Sequence, residues 1–241
     1  LGVFAADPLS AAMAAEVLFG HDAEDAASRP MQAPGLLASA RAELARAPRF
    51  AVVRPPAWAR VEPGYRLVLE AFYGGLGDAV AERDLPEVFE TAEANRRLIN
   101  FAEMARNFQR YVDRDVSALG AETQSAIVEG RAFSDADYAA AKTCRATLNA
   151  SLEEIFAEVD AILCPASLGQ APMGLASTGD SVMNGLWTMA GTPAITLPLL
   201  RAESGLPLGV QLVGRVGEDA QLLQVANWLY TRKAHGSGGE A

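Results

Sequence analysis

Few side chains in this 241-residue chain can do acid–base or nucleophilic work. The histidines are His21 and His235, the lysines Lys142 and Lys233, and the cysteines Cys144 and Cys164. A serine triad needs a histidine base that a carboxylate orients. His21 stands in a polar loop beside Asp22 and Asp25, but no serine occupies a GxSxG nucleophile elbow. His235 belongs to the tail. Cys164 ends an apolar run with no base nearby, which suits a small buried hydrophobe better than a nucleophile. Lysine can act as base when burial or nearby cations depress its pKa. Lys142 and Lys233 both fall among polar residues on helical stretches and read as solvated surface. The cysteines show neither metal-ligand spacing nor a disulfide framework, and two histidines argue against a zinc site. Gly74-Gly75-Leu76-Gly77 lacks the third glycine and the preceding strand of a dinucleotide loop, and reads as a helix stop. No catalytic residue, metal or cofactor is therefore expected within the chain.

What the sequence does supply is a stretch able to shape a pocket, from Asp160 to Gly214. Ala161 to Cys164 reads as a strand stopped by Pro165. Asp180 or Ser181 can cap a helix whose Val182, Leu186 and Met189 share a face. Gly191 ends that helix and Pro193 prevents its resumption. Ala194 to Leu197, bounded by Pro198, and Leu208 to Val213 read as buried strands. Apolar strands among helices predict an α/β fold: a mixed sheet covered by helices on both faces.

The rest of the chain supplies the cover. Asp7 and Pro8 open a helix with Leu9, Met13 and Val17 at helical spacing, closed by Gly20. Short helices are expected from Leu36 to Ala47 and from Tyr65 to Tyr73, with strands from Phe50 to Val53 and from Ala79 to Leu85. Helices fill 86–130. Ser134 and Asp137 form a capping box for a long helix carrying Tyr138, Ala141, Leu148, Leu152, Ile155 and Val159, with Arg145 interrupting the stripe. A last amphipathic helix runs from Glu218 to about Lys233, and 235–241 is expected to fray.

Four pieces together resemble the C-terminal half of the amidase signature family: Asp160-Ala-Ile-Leu-Cys-Pro, Asn184-Gly-Leu-Trp187-Thr188, Gly191-Thr-Pro-Ala-Ile-Thr-Leu-Pro198 and Leu206-Pro-Leu-Gly-Val-Gln-Leu-Val-Gly214. These enzymes hydrolyse the carbon–nitrogen bonds of amides. The resemblance implies one amidase domain of which 1–241 is the C-terminal part, with 86–130 a variable helical insertion. It implies a Ser–Ser–Lys mechanism whose serines and lysine precede Leu1, so no catalytic residue carries over. A fragment lacking that half is expected to be inactive alone. It would leave Ala194–Leu197 or Val210–Val213 as an open edge, prone to aggregation. What carries over is a pocket wall. Ser181 falls where the family places a pocket-lining residue, with Asn184 and Trp187 at i+3 and i+6 on the same helix. Each also has a structural reading: Ser181 as N-cap, Asn184 as a helix-to-loop hydrogen bond, Trp187 as core. In the tRNA amidotransferase A-type subunits the position of Ser181 is acidic as aligned, which weighs against glutamine as the ammonia source.

Composition excludes other classes. The net charge is −10, from 20 basic and 30 acidic residues, against a broad nucleic-acid surface. No apolar run is long enough to cross a bilayer. LGVFAADPLS shows no signal-peptide pattern and the cysteines read as reduced thiols, so a cytoplasmic protein is expected. The expected partners are a small-molecule amide, the missing N-terminal half and, in a homo-oligomer, further copies of the chain. A non-catalytic scaffold that kept the fold, or an amidotransferase A-type subunit, stands as the alternative.

Overall fold

The computed structural model describes residues 2–25, 30 and 34–236, with side chains as far as Arg232. After an extended segment comes helix α1 (Pro8–Leu18), whose Asp7 side chain accepts from Ser10 N at 2.7 Å. Helix α2 is Leu36–Arg41 and strand β1 is Phe50–Val52. Helix α3 (Pro63–Gly74) leads to β2 (Val80–Glu82). A 3-10 turn (Glu87–Thr91) precedes α4 (Ala92–Asn107), α5 (Gln109–Asp115) and α6 (Ala121–Gly130). Helix α7 (Asp135–Phe156) starts from the expected capping box, with Ser134 and Asp137 satisfying each other's backbone N–H. Then come β3 (Ala161–Pro165), α8 (Val182–Ala190), β4 (Ala194–Arg201), β5 (Pro207–Val213) and α9 (Asp219–Gly236).

The described strands form one mixed sheet in the order β2-β1-β3-β5-β4. β1 runs parallel to β2 and β3, while β5 is antiparallel to β3 and β4. Alternation sends the strand residues into two cores. Phe50, Val52, Ala161, Leu163, Val210 and Leu212 meet Tyr65 and Leu69 of α3 and Leu222, Val225 and Leu229 of α9. Ala51, Val53, Ile162, Cys164 and Val213 meet Leu148, Leu152 and Ile155 of α7, Leu186, Trp187 and Met189 of α8, and Phe89. The expected mixed sheet with helices on both faces is what forms. Region 86–130 is largely helical, and Gly130 lets α6 cross α4 closely: a Cβ there would lie 1.9 Å from the Phe101 carbonyl oxygen.

Several local expectations need correction. The strand after Gly191 is neither fully buried nor stopped by Pro198. It runs on to Arg201, and Ala194, Thr196 and Pro198 are exposed. β4 is the edge strand, and Leu197–Leu200 opposes Val210–Leu208 across a bulge, so the missing N–H of Pro198 leaves no ladder bond broken. Val210–Val213 is not an edge, because β3 pairs with its other side. The strand Ala161–Pro165 includes the proline expected to stop it. Of the stripe expected on α1, Met13 and Val17 are exposed; the helix buries Pro8 and Ala12 instead, since it rests on α2 and α9 through small residues. Helix α2 stops at Arg41, β2 covers only Val80–Glu82, and Val159 lies beyond the end of α7, still packed against its core. The tail is helical in backbone as far as Gly236; the Lys233 and His235 side chains and 237–241 lie outside the described residues.

Candidate active-site cleft

The site is organised by α8, whose nine residues are fixed at both ends. At its start Asp180 Oδ1 accepts from Val182 N at 2.9 Å, and the same carboxylate pairs with Arg60. The Arg60 hydrogen bond holds the Asp180 carboxyl below its usual range, against a partial desolvation that works the other way. So Asp180, not Ser181, caps the helix: Ser181 occupies the N-cap position with no side-chain hydrogen bond. In the middle, Gly185 lies so close to Arg96 of α4 that a Cβ would fall 2.5 Å from its Nε. At its end Gly191 turns left-handed at φ 73°, a conformation that glycine adopts without steric penalty. The freed carbonyls are then taken by α7. Arg145 Nε reaches Met189 O at 3.2 Å, and Asn149 Nδ2 reaches Ala190 O at 2.7 Å. The residue that breaks the apolar stripe of α7 is thus the one that holds α8.

One face of α8 is core and the next is cleft. Met183, Leu186, Trp187 and Met189 are buried. Trp187 packs against Phe89 with ring centroids 6.0 Å apart, and its Nε1 is buried without a hydrogen-bond partner. Asn184 and Thr188, one turn apart, face outward into a cleft of about 710 Å³. Its lining includes Trp187, Thr192, Thr196, Pro198 and Gln211 on one face of the sheet, and Leu222 and Tyr230 of α9 on the other. The extended segment 2–7 and α1 close it further. The cleft therefore wraps around the free edge of β4.

The sequence-derived wall residues separate here. Asn184 and Trp187 line the cleft, whereas Ser181 is exposed a turn earlier and does not contribute to its lining. Trp187 serves both its readings, since its ring fills the core while part of it borders the cleft. Sequence reading missed Gln211, which among the described residues is the one buried polar side chain, 3% exposed. Its Nε2 donates to Asn184 Oδ1 at 2.6 Å, and its Oε1 accepts from Cys164 Sγ at 3.5 Å. Burial pushes the Cys164 thiol up to about 12, with a smaller opposing pull from the Trp187 indole, so it stays protonated and donates. A single Gln within the otherwise apolar Leu208–Val213 was the available signal.

Cys164 is a buried inert thiol and Lys142 sits over the Tyr138 ring at 5.2 Å, consistent with a helix surface. His21 is exposed in its loop. Among the described residues no cluster of His, Cys, Asp or Glu is arranged to hold a metal ion. No helix among them is long and apolar enough to cross a membrane.

The described strands thus form an open α/β sheet, with a cleft carrying the amides of Asn184 and Gln211 beside the β4 edge. The sequence model of the family described as Amidase matches residues 1–223, and the chain belongs to that family. It is 25% identical to the A-type subunit of glutamyl-tRNA(Gln) amidotransferase from Thermosynechococcus vestitus, over 94% of this chain and 54% of the relative. It is 31% identical to the corresponding protein of Dinoroseobacter shibae, over 86% and 49%. The structure of 6-aminohexanoate cyclic dimer hydrolase superposes with a TM-score of 0.77 at 17% identity, covering 98% of this chain and 54% of that one. The chain spans about half the length of the curated relatives it matches.

Proposed function

We propose that this chain is the substrate-pocket half of an amidase domain, which hydrolyses a carbon–nitrogen bond through a seryl acyl-enzyme. The observation that carries the reading is the cleft at the free edge of β4, walled by the clamped helix α8, in a chain whose family match runs over residues 1–223. The nucleophile and base, a Ser–Ser–Lys set, come from the other half of the domain. That half covers the β4 edge and completes the cleft. Asn184 and Trp187 bound the substrate directly, and Ser181 closes the outer end of the wall once the other half is seated. The 86–130 helices are a variable insertion. The protein works in the cytoplasm without a cofactor, on a small amide, and homo-oligomers are compatible with it.

In this reading the cleft does three things. Its apolar lining excludes water from the acyl group and Asn184 orients the substrate's polar end. The fixed ends of α8 keep that wall in place, so less order has to be imposed on binding. The test uses the full-length protein that contains this chain. A fluorophosphonate probe should label a serine outside residues 1–241 and block turnover of an aryl amide. Labelling that maps inside this chain, or no labelling with an intact fold, defeats the proposal.

A second reading has its own support. The curated relatives are A-type subunits of an amidotransferase. On that reading the same cleft releases ammonia from an amide donor for transfer in a multi-subunit complex. Glutamine-dependent ammonia release only in the presence of partner subunits would favour it over free hydrolysis. A scaffold that lost catalysis would give neither activity.

A further inference from the structure

We propose that Asn184 is a specificity residue held by Gln211 in one orientation, with its amide N–H group and not its oxygen toward the substrate. The cleft is thereby set to receive a group that accepts hydrogen bonds, such as a carboxamide or other carbonyl oxygen, and to disfavour an ammonium group. This rests on the reading of the cleft as an amide-substrate pocket.

The argument is a chain of donors and acceptors. Gln211 is buried in the centre of β5 and cannot turn to water for partners. The Cys164 thiol is fully buried and donates to Gln211 Oε1 at 3.5 Å. With Oε1 toward Cys164, Gln211 must present Nε2 to its other neighbour, and it does: Nε2 lies 2.6 Å from Asn184 Oδ1. The oxygen of Asn184 is then engaged on the core side. Asn184 Nδ2 has no partner among the described residues, and Asn184 lines the cleft at an exposed position. Its backbone is fixed as well, with Thr188 Oγ1 donating to Asn184 O at 3.1 Å. The nearby Thr192 donates its hydroxyl proton to Trp187 O at 3.3 Å, while Asn184 Nδ2 stays available to the ligand. A carboxamide rotates freely in water; the buried Cys164–Gln211 pair is what removes that freedom here.

Two substitutions of similar bulk test this. Asn184→Asp replaces the donor by an acceptor at an exposed position. Gln211→Met removes the buried donor that engages Asn184 Oδ1, so the Asn184 amide is free to present either end to the cleft. In the full-length protein, kcat/KM is measured for two p-nitroanilides of equal length, one with an acyl chain ending in carboxamide and one ending in ammonium. The wild type should favour the carboxamide by about tenfold, the scale of one hydrogen bond. Asn184→Asp should abolish or invert that preference, mostly through KM. Gln211→Met should shrink it toward unity, whereas loosened packing alone would lower both substrates alike. If Gln211→Met does not fold, as a melting curve would show, Asn184→Asp decides alone. Turnover with a preference that survives Asn184→Asp overturns this inference and leaves the amidase reading standing. Absence of amide turnover in the folded wild type removes both.

Discussion

The sheet has two edges, and they are built differently. The β2 edge is three residues long and ends in charge. Arg54 joins Glu82 at 2.7 Å and Glu70 at 3.1 Å, and Arg83 pairs with Glu158. Short length and paired charges are how an edge resists further strands. The β4 edge is eight residues long, and Ala194, Thr196 and Pro198 on its exposed face are uncharged. It borders a cleft and carries no strand on its outer side among the described residues. Exposed Phe4, Met13, Val17 and Leu18 lie on the neighbouring segment and helix. One edge ends in paired charges and the other exposes Ala194, Thr196 and Pro198. That asymmetry agrees with a chain spanning about half of its curated relatives.

The largest test asks whether the β4 side is packed as firmly as the β2 side. Trp187→Ala should destabilise the fold by about 3–5 kcal/mol, the usual cost of emptying a buried aromatic site. A loss near zero in urea unfolding would mean that α8 is loosely held and that the contrast between the edges reaches into the core. Gly209→Ala probes the β4–β5 contact itself, where a Cβ would meet Thr196 Cγ2 at 2.4 Å and Ala166 Cβ at 2.9 Å. Overpacking there should remove about 1–3 kcal/mol, read as a lower Tm; an unchanged Tm would show that the edge strand simply shifts outward.

The edge comparison can be broken directly. The chain alone should self-associate in sedimentation, and Thr196→Lys on β4 should reduce that association. Asp84→Lys, an exposed position just past β2, should leave it unchanged, because that edge is already guarded. Equal effects from both lysines would erase the distinction. The smallest effect concerns acid. The folded-state pKa of Asp180 is depressed by Arg60, so its contribution is present above the unfolded value near 3.8 and fades as pH falls through the lower folded value. The pair is largely exposed, which keeps the effect small. Asp180→Asn should lower Tm slightly at neutral pH, with the gap to wild type closing below about pH 3.8. A gap that persists in strong acid would show that the Arg60 pair is not its source.

Legibility in the sequence followed locality. The capping box at Ser134 and Asp137 and the glycine stop at Gly191 depend on residues within a few positions, and both read correctly. So did the entry of α1 at Asp7 and Pro8. The face that α1 buries did not, because Met13 and Val17 look apolar in any window while α2 and α9 come from far along the chain. Arg145 looked like a fault in its stripe and is a cap for another helix. That Asn184 and Trp187 share one helix was legible from their spacing; that both border the cleft was seen only in the structure. Gln211 was not, since its partners Asn184 and Cys164 are 27 and 47 residues away.

The sequence by itself determined most of the elements, the caps at Asp7, Ser134 and Gly191, the alternation that makes a two-faced sheet, and the shortage of candidate bases. Those follow from backbone preferences and residue inventory, which are properties of short stretches. Only the tertiary structure decided that β4 and not β5 is the free edge, that Ser181 stands outside the cleft, and that a buried glutamine aims Asn184. Each depends on which distant segments meet, and the geometry of that meeting is set by how the whole sheet closes.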